Sequence, residues 1–110
     1  LVRGEVRSLQ RPDELPADAV LLDVRNPDEL QRFGTLVGAI NIPLPKLRDG
    51  LQEIPRDRTV VIFCQKGQRG YLATRILAAH GFDDVRNIAG GYLQAMHGGW
   101  PTTAAAVEQA

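Results

Sequence analysis

Cysteine and histidine are scarce in this sequence. Its 110 residues include one cysteine, Cys64, so a disulfide within the chain and a cysteine-rich metal site are both excluded. The two histidines, His80 and His97, lie far from Cys64 in the sequence and lack the spacing of metal ligands. We therefore predict a fold without disulfides and without a metal site, in which Cys64 is either a core residue or a reactive thiol.

Net charge and long apolar runs are also lacking. Thirteen basic side chains balance 13 acidic ones, so no overall field favours nucleic acid or anionic lipid. No apolar run is long enough to cross a membrane, and no signal peptide is recognisable. We therefore expect a cytoplasmic domain whose thiol stays reduced and which binds neither nucleic acid nor membrane. The first residue, Leu1, predicts either a domain of a longer protein or a trimmed start.

Apolar runs and helical patterns alternate along the chain, and its length suits one domain. We predict this domain over residues 1–101 and a C-terminal tail over residues 102–110. The predicted strands cover residues 1–7, 20–24, 38–43, 60–63 and 85–88. The predicted helices are one turn at 12–16, a helix that begins at Pro27 after the cap Asn26, and helices at 45–54, 71–79 and 91–96. This order predicts an α/β fold whose parallel sheet is covered on both sides.

Apolar spacing also predicts which side of three helices is apolar. In the helix after Pro27, Leu30 and Phe33 form an inward face. In the next two helices, the apolar residues that share one side are Leu47, Leu51 and Ile54, and then Leu72, Ile76 and Ala79.

The central feature is the segment from Val60 to Tyr71. Residues 60–63 are apolar and mostly β-branched, as expected of a parallel strand covered on both faces, and a helical pattern follows from Tyr71. Cys64 opens the polar turn between them, in which Gly67 and Gly70 let the backbone curl tightly. Backbone N–H groups at the start of a helix favour an anion. The pattern predicts a thiolate in an anion-binding loop that comprises Cys64, Gln65, Lys66, Gly67, Gln68, Arg69 and Gly70.

Two cations lie within this loop. Lys66 offers a point charge and Arg69 a planar guanidinium group that suits oxyanions. We interpret both as anion-binding residues, and an ordinary solvated loop is the alternative. Gly90-Gly91 is interpreted as a tight turn close to the same loop.

A carboxylate ends the strand at residues 20–24. Ligands of parallel sheets bind beyond the carboxyl ends of the strands, so we expect Asp23 near the cysteine loop. A catalytic role is one possibility, but we favour a supporting role in which Asp23 accepts loop N–H bonds or pairs with Arg25 or Arg69. Arg25 and Glu29 are also spaced to pair across the start of the helix.

Four segments, in order along the chain, resemble the motifs of rhodanese-like domains. They are Leu22-Asp23-Val24-Arg25 with Glu29, Gly38-Ala39-Ile40-Asn41-Ile42-Pro43, Cys64-Gln65-Lys66-Gly67-Gln68-Arg69 and Gly90-Gly91-Tyr92. The run from Cys64 to Leu77 is most similar to rhodanese domains fused C-terminally to pyridine nucleotide–disulfide oxidoreductases of the coenzyme A-disulfide reductase type. One departure is Thr35-Leu36-Val37, where the family often has His-Ile-Pro.

This resemblance implies a three-layer α/β/α sandwich with a five-stranded, mainly parallel sheet. It also implies a sulfurtransferase in which Cys64 attacks a donor such as thiosulfate or a persulfide, holds the sulfur as a persulfide and passes it to a thiol-type acceptor. No cofactor is implied in this domain. FAD, NAD(P)H and coenzyme A are implied in a parent protein with an N-terminal flavoprotein domain.

Two other functions remain open. Cysteine-dependent phosphatases and arsenate reductases of the superfamily place five residues between the cysteine and the arginine, whereas four separate Cys64 from Arg69. By that analogy the shorter loop favours a sulfur substrate. The other alternative is a non-catalytic docking or regulatory module of a larger oxidoreductase, to which an unreactive Cys64 would point.

Overall fold

Five parallel strands form one sheet in the computed structural model, which describes residues 7–103. Along the chain the strands are β1 (Arg7–Leu9), β2 (Val20–Asp23), β3 (Ile40–Asn41), β4 (Val60–Phe63) and β5 (Val85–Ile88). Across the sheet their order is β1-β5-β4-β2-β3, and every neighbouring pair is parallel. The strand β4 is therefore central, and its last residue, Phe63, lies in register with Asp23 at the end of β2.

Residues 7–103 also form three α-helices and three short 3-10 helices, and all but the last α-helix lie between strands. The α-helices are α1 (Pro27–Phe33), α2 (Gln68–Ala79) and α3 (Gly91–His97), and the 3-10 helices are Pro12–Glu14, Leu44–Lys46 and Arg48–Glu53. Among residues 7–103, no helix has the length and apolar character needed to span a bilayer.

The central strand β4 divides the core into two layers. All four of its side chains are buried, and they alternate between the two faces of the sheet. Val60 and Ile62 belong to a cluster with side chains from α2 and from the 3-10 helix Arg48–Glu53, whereas Val61 and Phe63 cluster with side chains from α3. The predicted strand covered on both faces, and with it the three-layer α/β/α sandwich, is confirmed.

The predicted helix at residues 45–54 is wrong in type. The chain instead forms two 3-10 helices, with backbone bonds that reach back three residues, such as Lys46 N–H to Pro43 O at 2.8 Å and Gly50 N–H to Leu47 O at 3.0 Å. Gly50 lies in the middle of this segment and weakens an α-helix there, because glycine loses more backbone freedom on folding than other residues do. The predicted apolar side is nevertheless buried, because Leu47, Leu51 and Ile54 all lie in the core.

The helix after Cys64 begins at Gln68, three residues earlier than predicted, and buries a different side. Its buried residues are Gly70, Ala73, Thr74 and Leu77. Leu72 is 47% exposed, and the predicted apolar set of Leu72, Ile76 and Ala79 lines an open groove instead. The small residues face the sheet because they let α2 pack closely on β4 and β5. The buried hydroxyl of Thr74 donates to the Gly70 carbonyl at 2.8 Å, so it needs no partner outside the helix.

The predicted inward face of α1 is only partly correct. The helix begins at Pro27 after Asn26, as predicted, but none of its seven residues is fully buried. Phe33 is 38% exposed, and the Arg32 guanidinium lies 5.3 Å from the centre of its ring. The backbone of Phe33, rather than its side chain, connects α1 to α3, because its carbonyl accepts a hydrogen bond from the Tyr92 hydroxyl at 2.7 Å.

The two ends of the predicted domain differ in how far the structure describes them. Of the strand predicted at residues 1–7, only Arg7 lies within the described residues, where it begins the edge strand β1. At the other end, Thr102 forms a bridge with Leu36, and the Thr103 N–H donates to the Thr35 carbonyl at 2.8 Å. The chain is therefore attached to the domain for two residues beyond Pro101, and residues 104–110 of the predicted tail lie outside the described residues.

Candidate active site

Cys64 follows the central strand, and its thiol meets the start of α2. The side chain is 99% buried, and its sulfur accepts a hydrogen bond from the Gly67 N–H at 3.0 Å. Gly67 precedes the helix with φ at +118°, a backbone conformation that favours glycine. The N–H group and the positive end of α2 both stabilise negative charge on the sulfur. This geometry favours a thiolate, and the binding of an external anion by the loop stays a prediction.

The turn before α3 holds the cysteine loop from the other side. Tyr92 N–H donates to the Cys64 carbonyl at 2.6 Å, and Leu93 N–H donates to the Gln65 carbonyl at 3.2 Å. Gly91 has φ at +68°, and a Cβ atom there would lie 2.5 Å from the Cys64 carbonyl oxygen and 2.7 Å from that of Gln65. The interpretation of Gly90-Gly91 as a tight turn against the loop is confirmed.

Asp23 and Arg25 form a buried ion pair beneath the loop. Neither side chain is exposed, and Arg25 donates through Nη2 to Asp23 Oδ2 at 2.7 Å and through Nε to Oδ1 at 3.0 Å. The Nη1 atom of Arg25 donates to the side-chain oxygen of Gln65 at 2.8 Å, and the guanidinium lies 4.3 Å from the ring centre of Tyr92. The pair thus connects β2 to the cysteine loop and to α3, which suits the predicted supporting role.

Thr35 and Asn41, which the sequence motifs did not predict as site residues, complete this buried network. The Thr35 hydroxyl donates to Asp23 Oδ2 at 2.7 Å, so its role is to satisfy the carboxylate. The Asn41 amide donates to the carbonyls of Asp23 and Arg25 at 2.9 and 2.8 Å. Asn41 stands between two isoleucines in the Gly38–Pro43 motif, and this polar residue in an apolar run is the signal that could have identified it.

Two of the ion pairs considered from the sequence do not form at the site. Arg69 does not bind Asp23, and Glu29 does not bind Arg25. Arg69 instead donates through Nη1 and Nη2 to the two carboxylate oxygens of Glu29, at 2.7 and 2.8 Å. Arg25 is unavailable to Glu29 because Asp23 holds it in the core.

The Glu29–Arg69 pair is held in place by the start of α1. Glu29 Oε1 also accepts the backbone N–H of the cap residue Asn26 at 3.0 Å. The hydrogen bonds from Arg69, together with the one from Asn26, hold the pKa of Glu29 below its ordinary value of 4.5 despite partial burial. Glu29 is therefore ionised at neutral pH, and its hydrogen bond in turn raises the pKa of Arg69.

Most of the predicted loop residues line one small cavity. This cavity, of about 260 Å³, is lined by Glu29, Cys64, Gln65, Lys66, Gln68 and Arg69. Lys66 is exposed at the mouth and, among residues 7–103, forms no ion pair. Glu29 belongs to one of the family motifs in the sequence, but that motif does not indicate that Glu29 lines the site. The pairing of Glu29 with Arg69 could not be predicted from local spacing, because 40 positions separate the two residues in the sequence.

Gly70 differs from its predicted role in the loop. It lies in the first turn of α2, buried against β5, and does not line the cavity. A Cβ atom at this position would collide with the side-chain oxygen of Asn87 and would lie 3.5 Å from the Cys64 nitrogen. Glycine is required here for close packing rather than for a tight curl of the backbone.

Metal ligands do not gather at the site. Within residues 7–103, no group of three or more His, Cys, Asp or Glu side chains is arranged to hold a metal ion. His80 directly follows α2, a helix of 12 residues, so its backbone lies about 18 Å along the helix axis from the end that faces Cys64.

These features define an α/β domain with a buried cysteine loop at the carboxyl end of the central strand. Residues 5–96 match the sequence model of the rhodanese-like domain, and the chain belongs to this family. The predicted family membership is confirmed.

Two relatives and one solved structure place the chain within the family. A sulfurtransferase of Allochromatium vinosum is 36% identical over 87 residues, which cover 79% of this chain and 80% of that protein. The human thiosulfate:glutathione sulfurtransferase is 38% identical over 90 residues, with 69% of this chain and 77% of that protein covered.

The solved structure is that of reduced CoADR-RHD from Bacillus anthracis. It is 42% identical with a TM-score of 0.75, and the alignment covers 81% of this chain but only 16% of that protein. The predicted likeness to rhodanese domains of the coenzyme A-disulfide reductase type is therefore confirmed for the domain. The rest of that longer protein has no counterpart in the aligned part of this chain.

Proposed function

We propose that this domain is a sulfurtransferase that carries sulfane sulfur on Cys64. The observation that carries the proposal is the hydrogen bond from the Gly67 N–H to the Cys64 sulfur at the start of α2. A backbone donor aimed at the sulfur stabilises the thiolate that must attack the donor and the persulfide anion that follows. The sulfurtransferase relatives support the same class of reaction.

The reaction needs no external oxidant or reductant, because Cys64 begins and ends each cycle as a thiolate. The Cys64 thiolate attacks the outer sulfur of the donor and forms a new S–S bond, while the S–S bond within the donor breaks. The leaving group, sulfite from thiosulfate or a thiolate from a persulfide, departs with the electron pair of that bond. An acceptor thiolate then attacks the outer sulfur of the Cys64 persulfide, and the Cys64 thiolate is restored.

The surrounding residues position the loop rather than transfer protons. Arg25 holds the side chain of Gln65, and the Tyr92 N–H holds the carbonyl of Cys64, so the sulfur stays beneath the Gly67 N–H. Lys66 at the mouth offers an anionic donor a weak attraction that salt screens. A general base is unnecessary where the attacking group is already a thiolate.

The test is the direct observation of sulfur on Cys64. We expect the protein, after exposure to thiosulfate or a hydropersulfide, to gain the mass of one sulfur atom at Cys64, and to lose it on addition of cyanide or a thiol. The matched control is Cys64→Ser, which should gain nothing. Equal sulfur transfer by Cys64→Ser, or no transfer to the unmodified protein from any donor, would contradict the proposal.

A further inference from the structure

The Glu29–Arg69 pair changes what the cavity can bind. A guanidinium group recognises an oxyanion best when two of its N–H groups donate in parallel. In Arg69 both terminal nitrogens already donate to Glu29, at 2.7 and 2.8 Å, on the wall of the cavity that contains Cys64. A sulfonate group would have to displace this carboxylate to use the same donors.

Glu29 is not free to move aside. Its Oε1 accepts the Asn26 N–H at 3.0 Å, which closes the first turn of α1, so the carboxylate is part of the cavity wall. Its side chain is 19% exposed, and that of Arg69 is 34% exposed. Partial burial weakens the screening of this pair by solvent.

The charges around the cavity therefore offer little attraction to a dianion. Lys66 and Arg69 are positive and Glu29 is negative, so the lining without the thiol has a net charge of +1. When Cys64 is ionised the sum is zero. The remaining unpaired cation, Lys66, is exposed and is screened by salt. A donor with two negative charges would meet both the thiolate and the Glu29 carboxylate.

We propose that Glu29 is a donor-specificity residue that disfavours thiosulfate and selects hydropersulfides, which carry at most one charge at the reacting end. The proposal rests on the sulfurtransferase function proposed above. In the favoured reaction the Cys64 thiolate attacks the outer sulfur of R–S–S–H, the donor S–S bond breaks, and R–S⁻ leaves with the electron pair. The proton stays on the transferred sulfur, so atoms and charge balance.

The experiment compares two donors in matched variants. The donors are thiosulfate and the persulfide of N-acetylcysteine methyl ester, which has no other charged group. Glu29→Gln keeps an acceptor for Asn26 but removes the negative charge. We expect the ratio of kcat/KM for thiosulfate to that for the hydropersulfide to rise by about three- to tenfold, mainly through a lower KM for thiosulfate.

Two further variants separate charge at the cavity from other effects. Asp28→Asn removes the same charge from the same turn of α1, but Asp28 is exposed and does not line the cavity, so the donor ratio should stay unchanged. The double variant Glu29→Gln with Arg69→Gln removes the guanidinium that the single variant frees. It should lose most of the gain for thiosulfate.

The possible failures are distinguishable. If Cys64 accepts sulfur but Glu29→Gln leaves the donor ratio unchanged, or if Asp28→Asn raises it equally, the specificity proposal is overturned and the sulfurtransferase proposal stands. If Cys64 accepts sulfur from neither donor in any variant, both are overturned. Competitive inhibition by sulfate provides a second measurement, and sulfate should bind more tightly to Glu29→Gln. Unchanged inhibition would also overturn the specificity proposal.

Discussion

Arg25 and Asp23 lie wholly within the protein directly beneath the cysteine loop, and the shortest hydrogen bond between their side chains, from Arg25 Nη2 to Asp23 Oδ2, is 2.7 Å long. The remaining Arg25 nitrogen, Nη1, holds Gln65. A charge pair in this position has no access to water, so each member depends on the other. The site is thus built on a buried ion pair between residues two apart in sequence.

Removal of Arg25 should be strongly destabilising. Arg25→Met leaves the Asp23 carboxylate buried without its cation, and we expect a loss of about 3–5 kcal/mol in the free energy of unfolding. Denaturant titration measures this. The matched control is Arg7→Ala, which breaks the exposed pair of Arg7 with Asp84 at 3.6 Å and should cost less than about 1 kcal/mol. Similar losses in the two variants would contradict the assigned role of Arg25.

A side chain at Gly91 should distort the cysteine loop. Gly91→Ala forces a Cβ atom against the carbonyl oxygens of Cys64 and Gln65, in addition to the cost of the left-handed conformation, about 1–2 kcal/mol. We expect lower stability and a large loss of sulfur loading on Cys64. Gly38→Ala is the control, because Gly38 has φ at +84° but open space around it. Equal losses in both variants would show that the collision with the loop is unimportant.

Gly70 and Asn87 should be energetically coupled. Gly70→Ala places a methyl group against the Asn87 side-chain oxygen, and we expect it to destabilise the protein. Asn87→Ser shortens that side chain and should relieve part of the collision. A double-mutant cycle from denaturant titrations should give a coupling free energy of about 1–2 kcal/mol. Additive effects within error would argue against direct contact at this position.

The stability contributed by Glu29 should depend on pH. Arg69 lowers the pKa of Glu29 in the folded chain, so the unfolded chain binds more protons in the interval below the ordinary value of 4.5. The stabilisation is therefore present above about pH 4.5 and is lost as the pH falls through the lower pKa of the folded state. Denaturant titrations of the unmodified protein and Glu29→Gln should converge as the pH falls. A stability difference that persists unchanged at acidic pH would contradict this.

Local signals in the sequence predicted much of the fold and the position of the reactive group. The run Val60–Phe63 indicated a strand buried on both faces, and Asn26-Pro27 indicated the start of a helix. The strand and the helix start are both indicated by a few adjacent residues, so a short window of sequence is enough to predict them. The position of Cys64 between a strand and a helix start was likewise predicted from the adjacent residues alone.

Local sequence patterns did not predict which side of a helix is buried or which type of helix forms, because tertiary packing also determines both. The large apolar side chains of α2, such as Leu72, suggested its inward face, but the close approach of the sheet selected small residues such as Ala73. The segment at 45–54 has the predicted apolar side but forms 3-10 helices, since Gly50 in its middle weakens an α-helix.

The sequence by itself determined that this protein is an α/β domain with a thiol at the carboxyl end of its central strand. Only the tertiary structure decided which charges surround that thiol. Asp23, Arg25 and Glu29 are close in sequence and offered several pairings, and Arg69 is 40 residues from Glu29. The adjacency of β2 and β4 brings α1 beside the cysteine loop, and burial reserves Arg25 for Asp23. Glu29 is thereby left to Arg69, and the resulting pair sets the charge of the site.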